Sequence, residues 1–147
     1  MACNKRPFVY ITRSETFSAC HRLHSTKLTD QQNIELFGKC NNKNGHGHNY
    51  KVEVTVASTV DEDTGMVMNL VALKGKIEEV LSELDHKNLD LDVEYFQTVV
   101  STAENIAVYI YNQLNRGLPD GILYEVRVHE TDKNVAFYRG QIKETLN

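Results

Sequence analysis

Cysteine, proline and long apolar segments are scarce in this sequence. Its 147 residues include three cysteines and two prolines, and no apolar run approaches the roughly 20 residues that span a bilayer. An odd number of cysteines argues against a disulfide framework, so we expect free thiols in a reducing compartment. The polar segment at residues 1–7 contains no apolar signal-peptide core. We therefore expect a cytoplasmic protein with no membrane partner.

Positive charge is scarce as well. The formal net charge is -4, and Lys and Arg are not clustered, which argues against a nucleic-acid partner. The chain also lacks internal repeats, low-complexity tracts and a Gly-rich dinucleotide fingerprint. Because this length fits one folding unit, we predict a single domain over residues 1–147.

Hydrophobic periodicity predicts short strands around two helices. Alternation is typical of half-buried strands, and apolar residues three and four apart are typical of amphipathic helices. Ser101 and Glu104 have the spacing of a capping box, which marks a helix start. The predicted strands are Phe8 to Arg13, Asn49 to Ala57, Ile122 to Glu130 and Val135 to Ile142, with Thr16 to Leu23 extending or pairing with the first. The predicted helices are Asn69 to Leu84 and Thr102 to Leu114.

The order of these elements predicts the fold class. Short strands with one polar and one apolar face suit an antiparallel sheet that is covered on one side by helices. We predict an α+β fold with a four-stranded antiparallel sheet and two helices on one face, in the order β-β-α-α-β-β. Because a small open sheet leaves edges that invite pairing with another subunit, we expect an oligomer.

Three histidines form a candidate metal site. His46 and His48 are two residues apart and share the parity of Tyr50, so both should lie on the buried face of the predicted strand. His21 has the inward parity of Phe17. Three imidazoles leave one position open at a metal ion, which is the arrangement of catalytic zinc sites, although ligand type alone also allows copper or nickel. A lone His-x-His pair is equally typical of packed histidines; the third inward histidine and a nearby cysteine favour metal binding.

Cys40 is the candidate reactive group beside this site. It lies in a polar segment without apolar periodicity, where a buried structural cysteine is not expected. Lys39, Lys43 and a nearby metal ion would favour the thiolate form. The thiolate could be a base, a nucleophile or a further metal ligand.

Two further candidates also have ordinary structural explanations. Asp85 and His86 follow the first predicted helix and could relay a proton, but a histidine that caps the helix C-terminus is the more common case. Glu130 ends an apolar strand row, where a carboxylate must be paired or bind a ligand. A guanidine-like N–H pair of a ligand would satisfy it; alternatively, the strand has ended and the side chain is solvated.

Several short motifs together point to one family. Cys40 is separated by five residues from His46-Gly47-His48-Asn49-Tyr50. The other motifs are Phe17-Ser18-Ala19-Cys20-His21-Arg22-Leu23, Thr64-Gly65-Met66-Val67-Met68-Asn69, Leu84-Asp85-His86-Lys87-Asn88-Leu89, Glu104-Asn105 and the segment from Tyr124 to Asp132. They resemble the 6-pyruvoyltetrahydropterin synthases with eukaryotic-type spacing, and the resemblance covers about residues 8–142.

The resemblance implies a fold, an assembly and a reaction. The fold would be a T-fold, in which trimers close a twelve-stranded barrel and two trimers stack into a homohexamer. The activity would be that of a lyase that converts 7,8-dihydroneopterin triphosphate to 6-pyruvoyltetrahydropterin and releases triphosphate, on the route to tetrahydrobiopterin. The cofactor would be one zinc ion per subunit.

The resemblance also implies a role for each candidate residue. The three histidines match the family's zinc ligands, and Cys40 matches its proton-abstracting base. Asp85 and His86 match a relay pair that a neighbouring subunit contributes. Glu130 matches the carboxylate that anchors the pterin ring. The segment that helps bind the pterin contains Thr102 and Glu104.

Two alternative functions remain at this point. Bacterial relatives make 6-carboxytetrahydropterin with the same groups, but they tend to have a shorter gap between the cysteine and the His-x-His pair. The second alternative is a non-catalytic, zinc-stabilised oligomer that binds pterins. Such a protein would have no use for Cys40.

Overall fold

A computed structural model describes residues 5–141 of the chain. Cys3 and Ile142 lie outside these residues, and the last predicted strand, Val135 to Ile142, is shorter than predicted because it ends at Tyr138. The strands are β1 (Phe8–His21), β2 (His46–Thr59), β3 (Lys87–Asn88), β4 (Leu123–His129) and β5 (Val135–Tyr138). The helices are α1 (Asp30–Phe37), α2 (Leu70–Leu81), α3 (Leu89–Asp92) and α4 (Ala103–Gly117). Two single 3₁₀ turns follow α1 and α3, at Gly38–Asn41 and Glu94–Gln97.

The long hairpin of β1 and β2 is the centre of the sheet. The two strands pair antiparallel over all 14 residues of each, from Phe8 opposite Thr59 to His21 opposite His46. The two segments predicted at the start of the chain are therefore one continuous strand. β4 pairs antiparallel with β2, and β5 pairs antiparallel with β4.

The predicted strand number is wrong, although the α+β class is confirmed. The sheet has five strands in the order β3-β1-β2-β4-β5. β3 contains two residues and runs parallel to β1, opposite Ala19 and Cys20. A two-residue strand is too short to produce an alternating pattern, which explains why periodicity did not predict it.

Two of the four helices were predicted and two were missed. α2 and α4 bury apolar stripes against the sheet, including Leu73, Ile77, Ile106 and Ile110. α1 has no such stripe, because Asn33 is its one buried residue. α3 is a single turn that directly follows β3, and Asn88 is both the last residue of β3 and the N-cap of α3. Helices without an amphipathic pattern give no periodic signal.

The start of α4 differs from the predicted capping box. Thr102 is the N-cap, and its hydroxyl accepts a hydrogen bond from the Asn105 N–H at 3.3 Å. Ser101 is fully buried, and its hydroxyl instead donates to Asp90 Oδ1 at 2.6 Å. Two adjacent hydroxyl residues could both cap this helix, and the hydrogen bond of Ser101 to the Asp90 carboxylate decides that Ser101 does not.

The buried face of the sheet leads to the three histidines. Phe17, Ala19 and His21 of β1 lie on this face beside Tyr50 of β2, and the valines of β2 and β4 continue the core under α2 and α4. The histidines are therefore at the end of a packed apolar layer. Among residues 5–141, no helix combines the length and the apolar character that crossing a bilayer requires.

Candidate metal centre and active site

Strand register brings His21, His46 and His48 together. His21 lies directly opposite His46, and His48 follows two residues later on the same face of β2. The Nε2 atoms of His21 and His46 are 3.1 Å apart. One ring nitrogen from each of the three residues lies within 4.8 Å of the others. The structure thus assembles the predicted triad from two neighbouring strands.

The chemistry of this triad fits a metal ion. Nε2 of His48 is buried and has no hydrogen-bond partner among the described residues. His21 is fully buried, and its Nδ1–H donates to the Ser101 carbonyl oxygen at 2.6 Å, so its Nε2 carries a lone pair and faces Nε2 of His46. Burial is the main cause that lowers the pKa of both His21 and His48, so the neutral form that metals bind is favoured. The three residues could therefore hold a metal ion.

Cys40 lines a cavity that reaches the histidines. This cavity has a volume of about 830 Å³, and its wall includes Lys39, Cys40, His46 and His48. Cys40 lies in the 3₁₀ turn after α1, and its carbonyl accepts a hydrogen bond from the Leu23 N–H at 2.9 Å. The backbone of the turn is thereby held beside the residues that follow β1. The polar surroundings predicted for Cys40 agree with this position.

Gly45 allows the chain to return from this turn to β2. Its φ is 73°, and a Cβ atom there would lie 2.8 Å from the His21 carbonyl oxygen. Asn41 adds a second contact, because its Nδ2 donates to the Leu23 carbonyl at 2.7 Å. The segment between β1 and β2 therefore closes tightly over the metal-binding end of the sheet.

Glu130 lies between the histidines and a second cavity. Its Oε1 is 3.8 Å from Nε2 of His48, and its backbone N–H donates to the Asn134 carbonyl. The second cavity has a volume of about 780 Å³ and is lined by Thr102, Glu104 and Glu130, among other residues. The three residues predicted to bind substrate thus share one cavity next to the metal-binding triad.

The same cavity includes residues that the sequence did not indicate. Leu36 and Phe37 end α1, and Phe137 belongs to β5; all three contribute to the wall. Leu36 and Phe37 belong to a helix without an amphipathic pattern, so periodicity could not place them. Phe137 was predicted to lie on a strand, but the sequence of that strand does not indicate that Phe137 lines this cavity.

Asp85 and His86 lie away from Cys40 within one chain. Oδ2 of Asp85 is 2.8 Å from Nδ1 of His86, and the His86 side chain is 83% exposed. Oδ1 of Asp85 accepts a hydrogen bond from the Ser18 N–H at 2.9 Å, and this bond, followed by the one from His86, lowers the pKa of Asp85. His86 lines a separate cavity of about 420 Å³. α2 ends at Leu81 with Ser82 as its C-cap, and the Asp85 N–H donates to the Leu81 carbonyl oxygen at 2.8 Å, so Asp85 contributes to the end of that helix while the His86 ring pairs with Asp85.

Comparison with known proteins identifies the family. The family model described as 6-pyruvoyl tetrahydropterin synthase matches residues 10–141. The chain belongs to the 6-pyruvoyl tetrahydropterin synthase family. This membership agrees with the order of motifs in the sequence and with the histidine and cysteine geometry described above.

Members of the 6-pyruvoyl tetrahydropterin synthase family from animals are similar over nearly their whole length. A 6-pyruvoyl tetrahydrobiopterin synthase from Poecilia reticulata is 62% identical over 133 residues, which are 90% of each chain. One from Homo sapiens is 58% identical over 132 residues, 89% of this chain and 91% of the relative. The structure of the Caenorhabditis elegans 6-pyruvoyl tetrahydropterin synthase has a TM-score of 0.91 at 49% identity and covers 92% of this chain and 98% of its own. The predicted T-fold is therefore confirmed.

Removing one imidazole should release the metal ion. We expect His48→Ala to reduce the metal content of the purified protein to a small fraction of that of the wild type, because two remaining imidazoles hold a divalent ion weakly. Atomic absorption of the dialysed proteins measures this. His129→Ala is the matched control, since His129 lies within 2.9 Å of Glu53 and outside the triad. Equal metal content in His48→Ala and the control would contradict the assignment of the site.

Proposed function

We propose that this chain is a zinc-dependent lyase that converts 7,8-dihydroneopterin triphosphate to 6-pyruvoyltetrahydropterin and releases triphosphate, in tetrahydrobiopterin biosynthesis. The observation that carries the proposal is that His46 and His48 line the Cys40 cavity, and that Glu130, on the wall of the second cavity, lies 3.8 Å from Nε2 of His48. Relatives that are 58% and 62% identical carry the name 6-pyruvoyl tetrahydrobiopterin synthase, which supports the assignment. The proposal includes a single domain over residues 1–147 and a cytoplasmic location.

Zinc is the metal that this donor set favours. Three neutral imidazoles without a cysteine ligand are typical of catalytic zinc sites, in which the fourth position stays open. We assign one zinc ion per subunit to His21, His46 and His48. When bound, zinc supplies Lewis-acid polarisation of the substrate side-chain oxygens, which acidifies the adjacent C–H bonds.

Cys40 is the proposed base. It lines the cavity that includes His46 and His48, so a substrate side chain held at the triad would lie in the same cavity. As a thiolate, Cys40 would take a proton from one side-chain carbon and make it available at another. The net reaction is an internal redox tautomerisation with elimination of triphosphate, so it needs no external oxidant or reductant.

Glu130 is the proposed anchor of the pterin ring. Its carboxylate lines the cavity that also contains Thr102 and Glu104, and two oxygens can accept hydrogen bonds from an amino group and a ring N–H side by side. Because Oε1 lies 3.8 Å from Nε2 of His48, a ring bound here would direct its side chain toward the metal.

Asp85 and His86 would complete the site from a neighbouring subunit. Asp85 holds the His86 ring, which is largely exposed and so available to a second copy of the chain. Phe8, Tyr10 and Phe137 are each more than half exposed on the strands, and such exposed aromatic groups favour association. We propose a homohexamer that is a dimer of trimers.

Product analysis tests the reaction. Purified wild-type protein with one zinc ion per subunit should convert 7,8-dihydroneopterin triphosphate to 6-pyruvoyltetrahydropterin and triphosphate in equal amounts. Chromatography with mass spectrometry under anaerobic conditions identifies both. Formation of 6-carboxytetrahydropterin and acetaldehyde would instead assign the reaction of the bacterial relatives. Unchanged substrate would favour a non-catalytic pterin-binding protein.

Cys40→Ala should abolish turnover and leave the rest of the molecule intact. Since loss of a general base commonly costs about 10²–10⁴-fold, we expect kcat to fall by at least about that factor. Zinc content and the oligomer mass, measured by atomic absorption and light scattering, should equal those of the wild type. Cys20→Ala removes a thiol whose strand parity is opposite to that of His21, and we expect it to keep full activity. Retained kcat in Cys40→Ala would remove Cys40 from the mechanism.

Glu130→Gln should weaken pterin binding without releasing zinc. The amide can accept one of the two proposed hydrogen bonds but must turn a donor toward the other, and a bond to a charged group contributes about 1.5–3 kcal/mol. We expect the dissociation constant of 7,8-dihydroneopterin, measured by its fluorescence, to rise by about 10–100-fold. An unchanged dissociation constant at full zinc content would show that the ring binds elsewhere.

A further inference from the structure

A chain of hydrogen bonds, from buried His21 and Ser101 to partly buried Asp90, lies behind the face of His21 that would bind the metal. The His21 Nδ1–H donates to the Ser101 carbonyl oxygen at 2.6 Å. The Ser101 hydroxyl donates to Asp90 Oδ1, also at 2.6 Å. His21 and Ser101 have no solvent exposure. The imidazole is thus connected to a carboxylate through a single residue.

Asp90 also holds the backbone next to His21. Its second oxygen, Oδ2, accepts a hydrogen bond from the Arg22 N–H at 2.6 Å. One carboxylate therefore holds two segments in place. The first is the end of β1, which carries His21, and the second is the loop with Ser101, whose carbonyl accepts the hydrogen bond from His21. Because both donors, the Ser101 hydroxyl and the Arg22 backbone N–H, are uncharged, Asp90 holds these groups by hydrogen bonds and not by ion pairs.

The missed elements β3 and α3 bring Asp90 to this place. β3 pairs with Ala19 and Cys20 just before His21 in the strand. Asn88 then caps α3, and its Oδ1 accepts a hydrogen bond from the Asp90 N–H at 3.1 Å. The five-stranded sheet therefore has a role at the site, because its extra strand delivers this carboxylate.

The loop with Ser101 is held from the other side by α4. Asn105 Nδ2 donates to the Val100 carbonyl at 2.9 Å, and the Thr102 N–H donates to the same oxygen at 2.9 Å. The Ser101 carbonyl is thus fixed by helix contacts on one flank and by the Ser101–Asp90 hydrogen bond on the other. Removing the bond to Asp90 would leave one flank free.

We infer that Asp90 and Ser101 are positioning residues that fix the ring orientation and the tautomer of His21 for metal binding. The inference rests on the proposed zinc site. An imidazole whose Nδ1–H is held by an acceptor keeps its Nε2 lone pair directed at the metal, and loss of such partners typically lowers metal affinity 10–100-fold. Neither residue contacts the metal in this role; both act through His21.

Asp92 provides a matched comparison. It lies two residues further along α3, is exposed, and accepts a hydrogen bond from the Asn88 N–H at 2.8 Å. Asp92→Asn therefore makes the same chemical change in the same helix without touching Ser101 or His21. A general effect of weakening α3 would appear in Asp92→Asn as well as in Asp90→Asn.

The experiment measures zinc affinity in the full chain by competition with a chromophoric chelator. We expect wild type and Asp92→Asn to bind zinc equally, and Asp90→Asn and Ser101→Ala each to bind it about 10–100-fold more weakly. The double variant should bind zinc about as weakly as the weaker-binding of the two single variants, because both changes break the same chain of contacts. The visible absorption of the cobalt-substituted protein should shift in the same two variants, as it reports the ligand geometry.

Each outcome separates this inference from the proposed function. If wild type binds zinc and Asp90→Asn and Ser101→Ala bind it equally well, the inference is wrong and the zinc site stands. If Asp92→Asn loses the same affinity, the effect is one of helix stability and the inference is also wrong. Should circular dichroism show that Asp90→Asn is unfolded, Ser101→Ala decides alone. A wild type that binds no zinc overturns the proposed function, and the inference with it.

Discussion

The register between β1 and β2 is the constraint on which the rest of the site depends. Opposite residues in an antiparallel pair lie about 4.5–5.5 Å apart, so placing His21 opposite His46 brings two ligand rings into contact before any loop is considered. A shift by one residue would turn the histidines of one strand to the other face. The apolar alternation that follows them, from Tyr50 through the valines of β2, prevents such a shift. The same alternation that forms the core therefore also brings together the three candidate metal ligands.

Burying His21 and partly burying His46 and His48 is unfavourable unless their ring nitrogens find partners. His21 satisfies one nitrogen through the Ser101 carbonyl, and the remaining inward nitrogens face one another. Nε2 of His48 has no partner among the described residues, and Glu130 lies 3.8 Å from it. A metal ion would resolve this conflict at a single point, since it could accept all three lone pairs. The polar end of the sheet and the apolar core can therefore coexist on one continuous face.

Parity and motif spacing were sufficient to predict the long strands, the two amphipathic helices and the histidine triad. They failed where an element is short or lacks an apolar stripe, as in β3, α1 and α3. They also failed at Ser101 and Thr102, where the sequence offers two hydroxyl residues and only the hydrogen bond of Ser101 to Asp90 distinguishes them. These errors share a cause. The local apolar pattern of the sequence predicts which face of an element is buried. It does not predict which polar group from a distant part of the chain lies beside that element.

The position of His86 shows that a single chain does not bring Cys40 and His86 together in one cavity. Cys40 and His86 line different cavities, and the His86 ring is largely exposed. A proton relay between them requires contact within hydrogen-bond distance, which the described residues of one chain do not provide. Asp85 nevertheless orients the ring through a short contact and is itself fixed by the Ser18 N–H of β1. An oriented but unused imidazole is reasonable if a second copy of the chain uses it. Assembly would then complete the acid–base groups, and activity would depend on association as well as on metal.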